Sequence, residues 1–324
     1  MKTKIRWGII GCGDVTEVKS GPGFQKAEHS ELVAVMRRNG KLAEDYARRH
    51  NVPKWYDDAY KLINDPDVDA VYIATPPSTH KEYTLAVASA KKPVYVEKPM
   101  ALNYNECIEM VDACKKFNVP LFVAYYRRAL PRFLKIKSLL QDGTIGNVQA
   151  VNIRFFQKPS ESDINKTYNW HVDPSIAGCG YFCDLGCHMI DLIQFFLGKI
   201  TEASGYNSNQ SKLYLVEDTV TAAFKFESGI LGSGVWSFAS YQNLDETEIA
   251  GSKGKIVYST FSNEPVKLFT DYKTEEIIID HPPHVAQPLI QLVVNDLSGT
   301  GTCPSTGETG AHTSFVMDKI LGRI

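Results

Sequence analysis

The sequence predicts an α/β protein in two parts: an N-terminal doubly wound parallel sheet and a C-terminal α+β domain with a mainly antiparallel, open sheet. Three observations predict it. An apolar strand, IRWGII, runs straight into the glycine turn GCGDVT. Strand and helix patterns then alternate with short loops as far as residue 124. From residue 125 the alternation gives way to strands separated by glycine-containing turns, with a few helices among them. The expected domains are therefore residues 1–124 and 125–324, with the C-terminal helical segments packing back toward the first domain.

Gly11 and Gly13 occupy the first two glycine places of G-x-G-x-x-G, and Thr16 stands at the third. In a Rossmann sheet the first glycine makes the tight turn and the second admits a pyrophosphate. The backbone N–H groups of this turn, which also contains Cys12, Asp14 and Val15, are the expected phosphate donors. Alone, the motif also fits an ordinary tight turn. LVAVMRRN, Leu32 to Asn39, reads as the next buried strand, about 20 residues downstream as a dinucleotide site requires. An NAD site usually carries an acidic residue at this strand's end. Here stand Met36, Arg37 and Arg38. Arginine pairs bidentately with a 2′-phosphate, which favours NADP over NAD; the alternative is a solvated helix start.

The alternation continues through the helical KLAEDYARRH and DDAYKLI to the strand Ala70–Thr75, which ends in Pro76-Pro77. Ser78 is a candidate N-cap for the helix that follows. Val94–Val96 is the next strand, with Glu97-Lys98-Pro99 at its carboxyl end, before a helix from 105 to 117. Ligands of such sheets bind at the strands' carboxyl ends, where all these motifs fall. In the second half, a helix over 130–141, the strand GNVQAVNIRFFQ and the polar loop KPSESDINKTYNW precede the helix Tyr181–Gln194. That helix carries Asp184, His188 and Asp191, whose spacings put them on or near one face.

Composition sets the outer bounds. Thirty-five basic and 37 acidic residues give a net charge of −2, which favours neither nucleic acid nor an anionic membrane as partner. No secretory signal precedes Ile5, and no apolar run reaches a membrane span. Seven cysteines without framework spacing fit a reducing cytoplasm. Cys179, Cys183 and Cys187 read as packing residues, and no metal is expected; His281 and His284 read as loop residues.

The glycine turn, TPPSTH at a strand end, VEKPM before a helix and the later GYFCDLGCHMIDL together resemble the Gfo/Idh/MocA family of sugar and polyol oxidoreductases, over essentially the whole chain. The resemblance implies an NADP- or NAD-dependent dehydrogenase or reductase for a sugar, cyclitol or related polyhydroxy compound. It puts Lys98 beside nicotinamide and substrate, and Thr75, Pro76, His80 and Glu97 along the cofactor. Oxidising a secondary alcohol needs a base for the hydroxyl proton and a positive group for the developing alkoxide. His188 is expected as the acid/base, Lys98 as electrostatic and relay partner, and Asp184 as ligand of a neighbouring hydroxyl. The alternative for His188 is a core histidine, and Asp191 either orients the imidazole or pairs locally. Tyr126, Arg128, Trp170 and His171 complete the expected substrate side. Relatives often carry Trp-Arg at 170–171, so His171 removes a permanent charge, and many carry a polar amide in place of Tyr126. Arg127 and Arg128, taken singly, each also read as surface charges. A homodimer or homotetramer is expected from the open sheet. A nucleotide-sensing regulator and an NAD-dependent glycosidase are the competing readings.

Overall fold

The computed structural model describes residues 4–324. The chain forms two compact units: residues through Leu130 together with Pro282–Ala311, and Pro131–His281 together with His312–Ile324. The crossover lies beyond the expected 124/125 boundary, and a late segment belongs to the first unit.

The first unit is built from β1 (Ile5–Ile10), α1 (Asp14–Val18), α2 (Gly21–Lys26), β2 (Ser30–Met36), α3 (Gly40–Arg49), β3 (Lys54–Tyr56), α4 (Ala59–Ile63), β4 (Ala70–Ile73), α5 (His80–Ser89), β5 (Val94–Val96), α6 (Tyr104–Phe117) and β6 (Leu121–Val123). Its sheet has the order β3-β2-β1-β4-β5-β6, and every pairing is parallel. The order reverses between β1 and β4, which makes the carboxyl ends of these strands the place where such a sheet takes ligands. β4, β5 and β6 are buried throughout, as strands covered on both faces must be.

One face of this sheet carries an aromatic layer. Phe24 lies 4.9 Å from Trp7 and 5.0 Å from Tyr72, which lies 5.0 Å from Tyr95, all centroid to centroid. The helix Gln287–Leu297 buries Leu289, Ile290, Val293 and Val294 in the same core. It approaches α2 so closely that a Cβ at Gly23 would lie 2.8 Å from Ile290 Cδ1 and 3.2 Å from Gln287 Cα. His284 adds a strap, with Nδ1 2.7 Å from the Val18 carbonyl.

The second unit contains α7 (Pro131–Gln141), β7 (Val148–Phe156), α8 (Glu161–Ile164), α9 (Pro174–Ala177), α10 (Cys187–Leu197) and β8 to β14 (Ile200–Ser208, Thr219–Phe226, Leu231–Ser237, Leu244–Gly251, Gly254–Tyr258, Val266–Thr270, Thr274–Ile277). The sheet order is β14-β13-β12-β11-β7-β10-β9-β8. Only β7 with β10 is parallel; the other pairings are antiparallel. Val151, Ile153 and Phe155 of β7 point to the buried face while Asn152 and Arg154 are exposed, so one face is packed and the other open.

The segment read as a polar loop contains α8, begun by a capping box between Ser160 and Asp163. The apolar run is also longer than the sequence suggested. The helical stretch Pro174–Leu197 has the length and composition of a membrane crossing, but 72% of its most apolar window is buried within the fold, as in the core helix of a globular unit.

Gly21 supplies the first unit's tightest backbone approach. A Cβ there would overlap the Thr16 carbonyl and the Tyr46 hydroxyl, which are themselves hydrogen-bonded at 2.8 Å. Gly21→Ala is expected to destabilise the protein by about 1–3 kcal/mol through overpacking, read as a lowered denaturation midpoint; an unchanged midpoint would contradict this packing.

Candidate active site

The glycine turn after β1 is shaped by its neighbours. Gly11 has φ +92°, and a Cβ there would lie 2.8 Å from Thr75 Cγ2 and 2.9 Å from the Ala74 carbonyl carbon. Only glycine fits both the dihedral and the contact. The N–H groups of Gly11 and Cys12 both donate to Met36 O, at 2.9 and 3.1 Å. Cys12 was expected to line the cofactor; instead its N–H is engaged, its side chain is fully buried, and burial pushes its thiol up to about 11. Gly13 faces open space, since a Cβ there would meet only Gly11 O, at 3.9 Å. It precedes Asp14 and Val15, the first turn of α1, whose N–H groups lack intrahelical partners. Thr16 does not take the third glycine's packing role: its hydroxyl donates back to Gly13 O at 2.7 Å, and Gly21 makes the close approach.

At the end of β2, the half-buried Arg37 donates its N–H to Tyr56 O at 3.1 Å, while Arg38 is exposed. Arg38 lines an open depression of about 900 Å³ together with Lys41, Glu44, Trp55 and Asp57. Lys41 and Trp55 escaped the sequence reading. The signal for Lys41 was its place in the first turn of α3, three residues after Arg38. No acidic residue occupies the end of β2 itself.

The loops after β4 and β5 are joined by His80. Its imidazole is fully buried, with Nε2 2.7 Å from Thr75 O and Nδ1 3.0 Å from Pro99 O and 3.2 Å from Met100 O. Expected as a cofactor contact, it is a clasp between two loops. Burial holds it below the ordinary histidine value, so the neutral ring donates from one nitrogen at a time, to Thr75 O or to the Pro99 and Met100 carbonyls, and packs against the other. Ser78 is exposed and caps nothing; Thr79 donates instead to Thr75 Oγ1 at 2.7 Å. Glu97 likewise points into the fold, accepting the Tyr72 hydroxyl and the Lys98 N–H, the latter at 3.1 Å. Burial pushes its carboxyl up. Lys98 and Pro76 are partly exposed at these strand ends.

The Tyr181–Gln194 segment is not one regular helix. Phe182–Gly186 forms a π turn, and α10 begins only at Cys187. Such turns insert a residue and displace hydrogen-bond partners. Here the Cys187 thiol donates to the Asp184 carbonyl at 3.3 Å. Asp184 is partly exposed in the π turn, His188 is 3% exposed one turn on, and its ring lies edge-on to Phe261 at 5.9 Å. Asp191 is 1% exposed and accepts from Thr313 Oγ1 at 3.2 Å. Cys179 and Cys183, read as packing residues of a reducing compartment, are joined in a disulfide with Cα atoms 5.5 Å apart. Cys179 lies in the bend at residues 178–180 and Cys183 in the π turn, and the chain between them brings their Cα atoms within bridging range. Among the described residues, no three His, Cys, Asp or Glu side chains gather as metal ligands would.

Trp170 and His171 stack at 3.8 Å in a single 3₁₀ turn. Asn169 anchors them: its Oδ1 lies 3.1 Å from His171 N and 3.0 Å from His171 Nδ1, and its Nδ2 lies 2.7 Å from the Tyr181 hydroxyl. That hydroxyl donates to Asp163 at 2.8 Å. Asn169, Tyr181 and Asp163 were missed; the S-x-x-D capping box at 160–163 was the one available signal. Arg127 and Arg128, expected singly as surface charges, are both buried. Arg127 lies over the Tyr126 ring at 5.1 Å, and Arg128, expected at the substrate, donates to Pro304 O at 2.6 Å.

A parallel sheet of this order, with a glycine turn after β1 and a lysine after β5, defines a dinucleotide-binding oxidoreductase unit. Comparison with known proteins agrees. Residues 5–125 match the oxidoreductase family model for an NAD-binding Rossmann fold, and residues 133–257 match the GFO/IDH/MocA C-terminal domain. Oxidoreductase P35 of Formosa agariphila is 40% identical across 99% of this chain and 100% of its own length. Myo-inositol 2-dehydrogenase of Thermotoga maritima is 31% identical, across 82% of this chain and 78% of that protein. A levoglucosan dehydrogenase solved with NADH and levoglucosan has the same fold, with a TM-score of 0.87 at 24% identity over 99% of this chain and 97% of that one. The chain belongs to the Gfo/Idh/MocA family of oxidoreductases.

His80→Asn tests the clasp. Loss of a buried carbonyl partner is expected to cost about 1–3 kcal/mol. Because the folded state holds His80 below its ordinary value, the unfolded chain binds the extra proton, so stability falls as pH drops below about 6.5. Thermal midpoints across that range are expected to lose part of this acid slope in the variant. An identical slope would contradict it.

Proposed function

We propose that this chain transfers a hydride between a nicotinamide dinucleotide, with NADP preferred, and a carbinol carbon of a sugar, cyclitol or related polyhydroxy compound. The observation that carries the reading is the pairing of residue types at defined places: Lys98 at the carboxyl end of β5, and Asp184 and His188 across a π turn. Bound nicotinamide supplies the hydride acceptor or donor. The Lys98 ammonium stabilises the developing alkoxide, or polarises the carbonyl in reduction. The His188 imidazole takes the hydroxyl proton and returns it in the reverse direction. Asp184 accepts a hydrogen bond from a neighbouring hydroxyl and so selects which carbon reacts. Thr75, Pro76 and the turn at Gly13 to Val15 hold the cofactor by backbone and close packing.

NADP preference is supported by the exposed Arg38 with Lys41 at the rim of the depression, where two cations suit a 2′-phosphate. Trp170, His171 and Tyr126 serve the substrate. The open face of the eight-stranded sheet suits a homodimer or homotetramer.

Lys98→Ala and His188→Ala are each expected to lower kcat/KM by about 10²-fold or more while leaving cofactor binding measurable. Wild-type turnover in either variant would remove that residue from its role. Arg38→Ala is expected to weaken NADP about tenfold or more and NAD little, because a charge-assisted bond to phosphate is lost. Equal weakening of both cofactors, measured by fluorescence titration, would contradict the 2′-phosphate assignment.

A further inference from the structure

The packed face of the eight-stranded sheet carries a carboxylate. In the register of β11 with β7, Asp245 lies opposite Phe155, Thr247 opposite Ile153 and Ile249 opposite Val151. Cross-strand partners share a face of the sheet. Asp245 therefore stands with the buried Phe155, Ile153 and Val151, and Glu246 stands with Arg154 on the open face. A carboxylate on a packed face is costly unless its oxygens are hydrogen-bonded.

The chain beyond β12 supplies the donors. The β11–β12 ladder runs as far as Thr247 with Tyr258, and the backbone then turns through residues 259–262. Asp245 Oδ1 accepts the Thr260 N–H at 2.9 Å, and Oδ2 accepts the Phe261 N–H at 2.6 Å. Hydrogen bonds to an ionised acceptor are stronger than those between neutral groups. The Ser259 hydroxyl donates to Ser262 O at 3.1 Å, and Arg132 Nη2 donates to Ser259 O at 3.3 Å. The turn is thus held along its length, and it sets where the Phe261 side chain starts.

The Phe261 ring packs 5.2 Å from the Phe155 ring, which is 2% exposed and lies 6.0 Å from Phe238. Phe261 also lies edge-on to His188 at 5.9 Å, with the two planes 77° apart. Edge-to-face contact has a preferred geometry, so a fixed Phe261 favours one plane for the imidazole. That plane matters for a base, because the nitrogen lone pair lies in it and must point at the proton it takes.

We propose that Asp245 is a positioning residue for His188: by gripping the Thr260 and Phe261 N–H groups it holds the Phe261 ring as one wall of the imidazole, and so sets the plane in which His188 exchanges a proton with the substrate hydroxyl. The proposal rests on the oxidoreductase reading above and adds Asp245 and Phe261 to the proton-transfer side of that site.

The test combines a spectrum with a kinetic cycle. In protein labelled with ¹³C-histidine, with the His188 signals assigned through His188→Gln, the unmodified protein is expected to show a through-space contact between the Phe261 and His188 ring protons. Phe261→Leu removes the ring current and is expected to move the His188 ring signals; Phe261→Tyr keeps the ring and is expected to leave them in place. Asp245→Asn is isosteric, yet its NH₂ faces one of the two N–H donors, so it is expected to move the same signals. With a neutral polyol as substrate, Phe261→Leu and Asp245→Asn are each expected to lower kcat about tenfold, with smaller changes in KM and in cofactor affinity. Because both act along one path, the double variant is expected to fall no more than about twofold below Phe261→Leu alone. Additive losses in the double variant would show that Asp245 acts by another route and would overturn the proposal. So would unmoved His188 signals in Asp245→Asn, or no contact between the two rings in the unmodified protein. If no neutral polyol is turned over with either cofactor, the oxidoreductase reading itself fails for these substrates, and the His188 signals still decide whether Asp245 places the ring.

Discussion

The buried His80 imidazole is the constraint on which the carboxyl edge of the first sheet depends. It lies between Thr75 O and the carbonyls of Pro99 and Met100, so the loops after β4 and β5 pack against one buried ring that donates to one of them. The turn after β1 joins them, because Gly11 packs directly against Ala74 and Thr75. Below, the Tyr72 hydroxyl and the Glu97 carboxylate lock the end of β5 to the aromatic layer. Lys98 therefore leaves the sheet from a fixed base. The role proposed for Lys98 needs such support, since a lysine's long side chain carries much rotamer freedom and its effect depends on placement.

The second unit reaches similar definition by other means. The π turn at Phe182–Gly186 changes the helical register between Asp184 and α10, and the Cys187 thiol takes up a displaced carbonyl. Asp191 is tied to Thr313, which also accepts from Gln194 at 3.3 Å, so the helix carrying His188 is fastened along its buried side. Ahead of the turn, the chain from Asp163 through Asn169 holds the Trp170–His171 stack.

What was legible in the sequence followed from periodicity. Continuous apolar runs such as AVYI and VYV announced strands buried on both faces, and the alternation in β7 announced a sheet open on one side. The glycine turn was legible because positive φ and close packing leave few alternatives to Gly11. Side-chain direction was not. His80 stands in a polar-looking STHKE and Arg127-Arg128 in a basic pair, yet all three are buried: carbonyls such as those of Pro99 and Pro304 receive His80 and Arg128, and Arg127 lies over the Tyr126 ring. A spacing of four read equally as helix packing for Cys179 and Cys183, whereas the structure joins them. Nor does the sequence code distinguish a π turn from a regular one, since both keep Asp184 and His188 within a turn. The tightest backbone approach near this turn falls at Gly21, against the Thr16 carbonyl and the Tyr46 hydroxyl, where no motif looks.

The most direct test of the central claim follows the hydride itself. A neutral polyol deuterated at its carbinol carbon would be incubated with the purified protein and oxidised NADP or NAD, and the nicotinamide examined by mass spectrometry and NMR. The account predicts stoichiometric appearance of deuterium on the nicotinamide ring with a matching yield of ketone. Ketone formed with the deuterium released to solvent instead of onto the ring would contradict it.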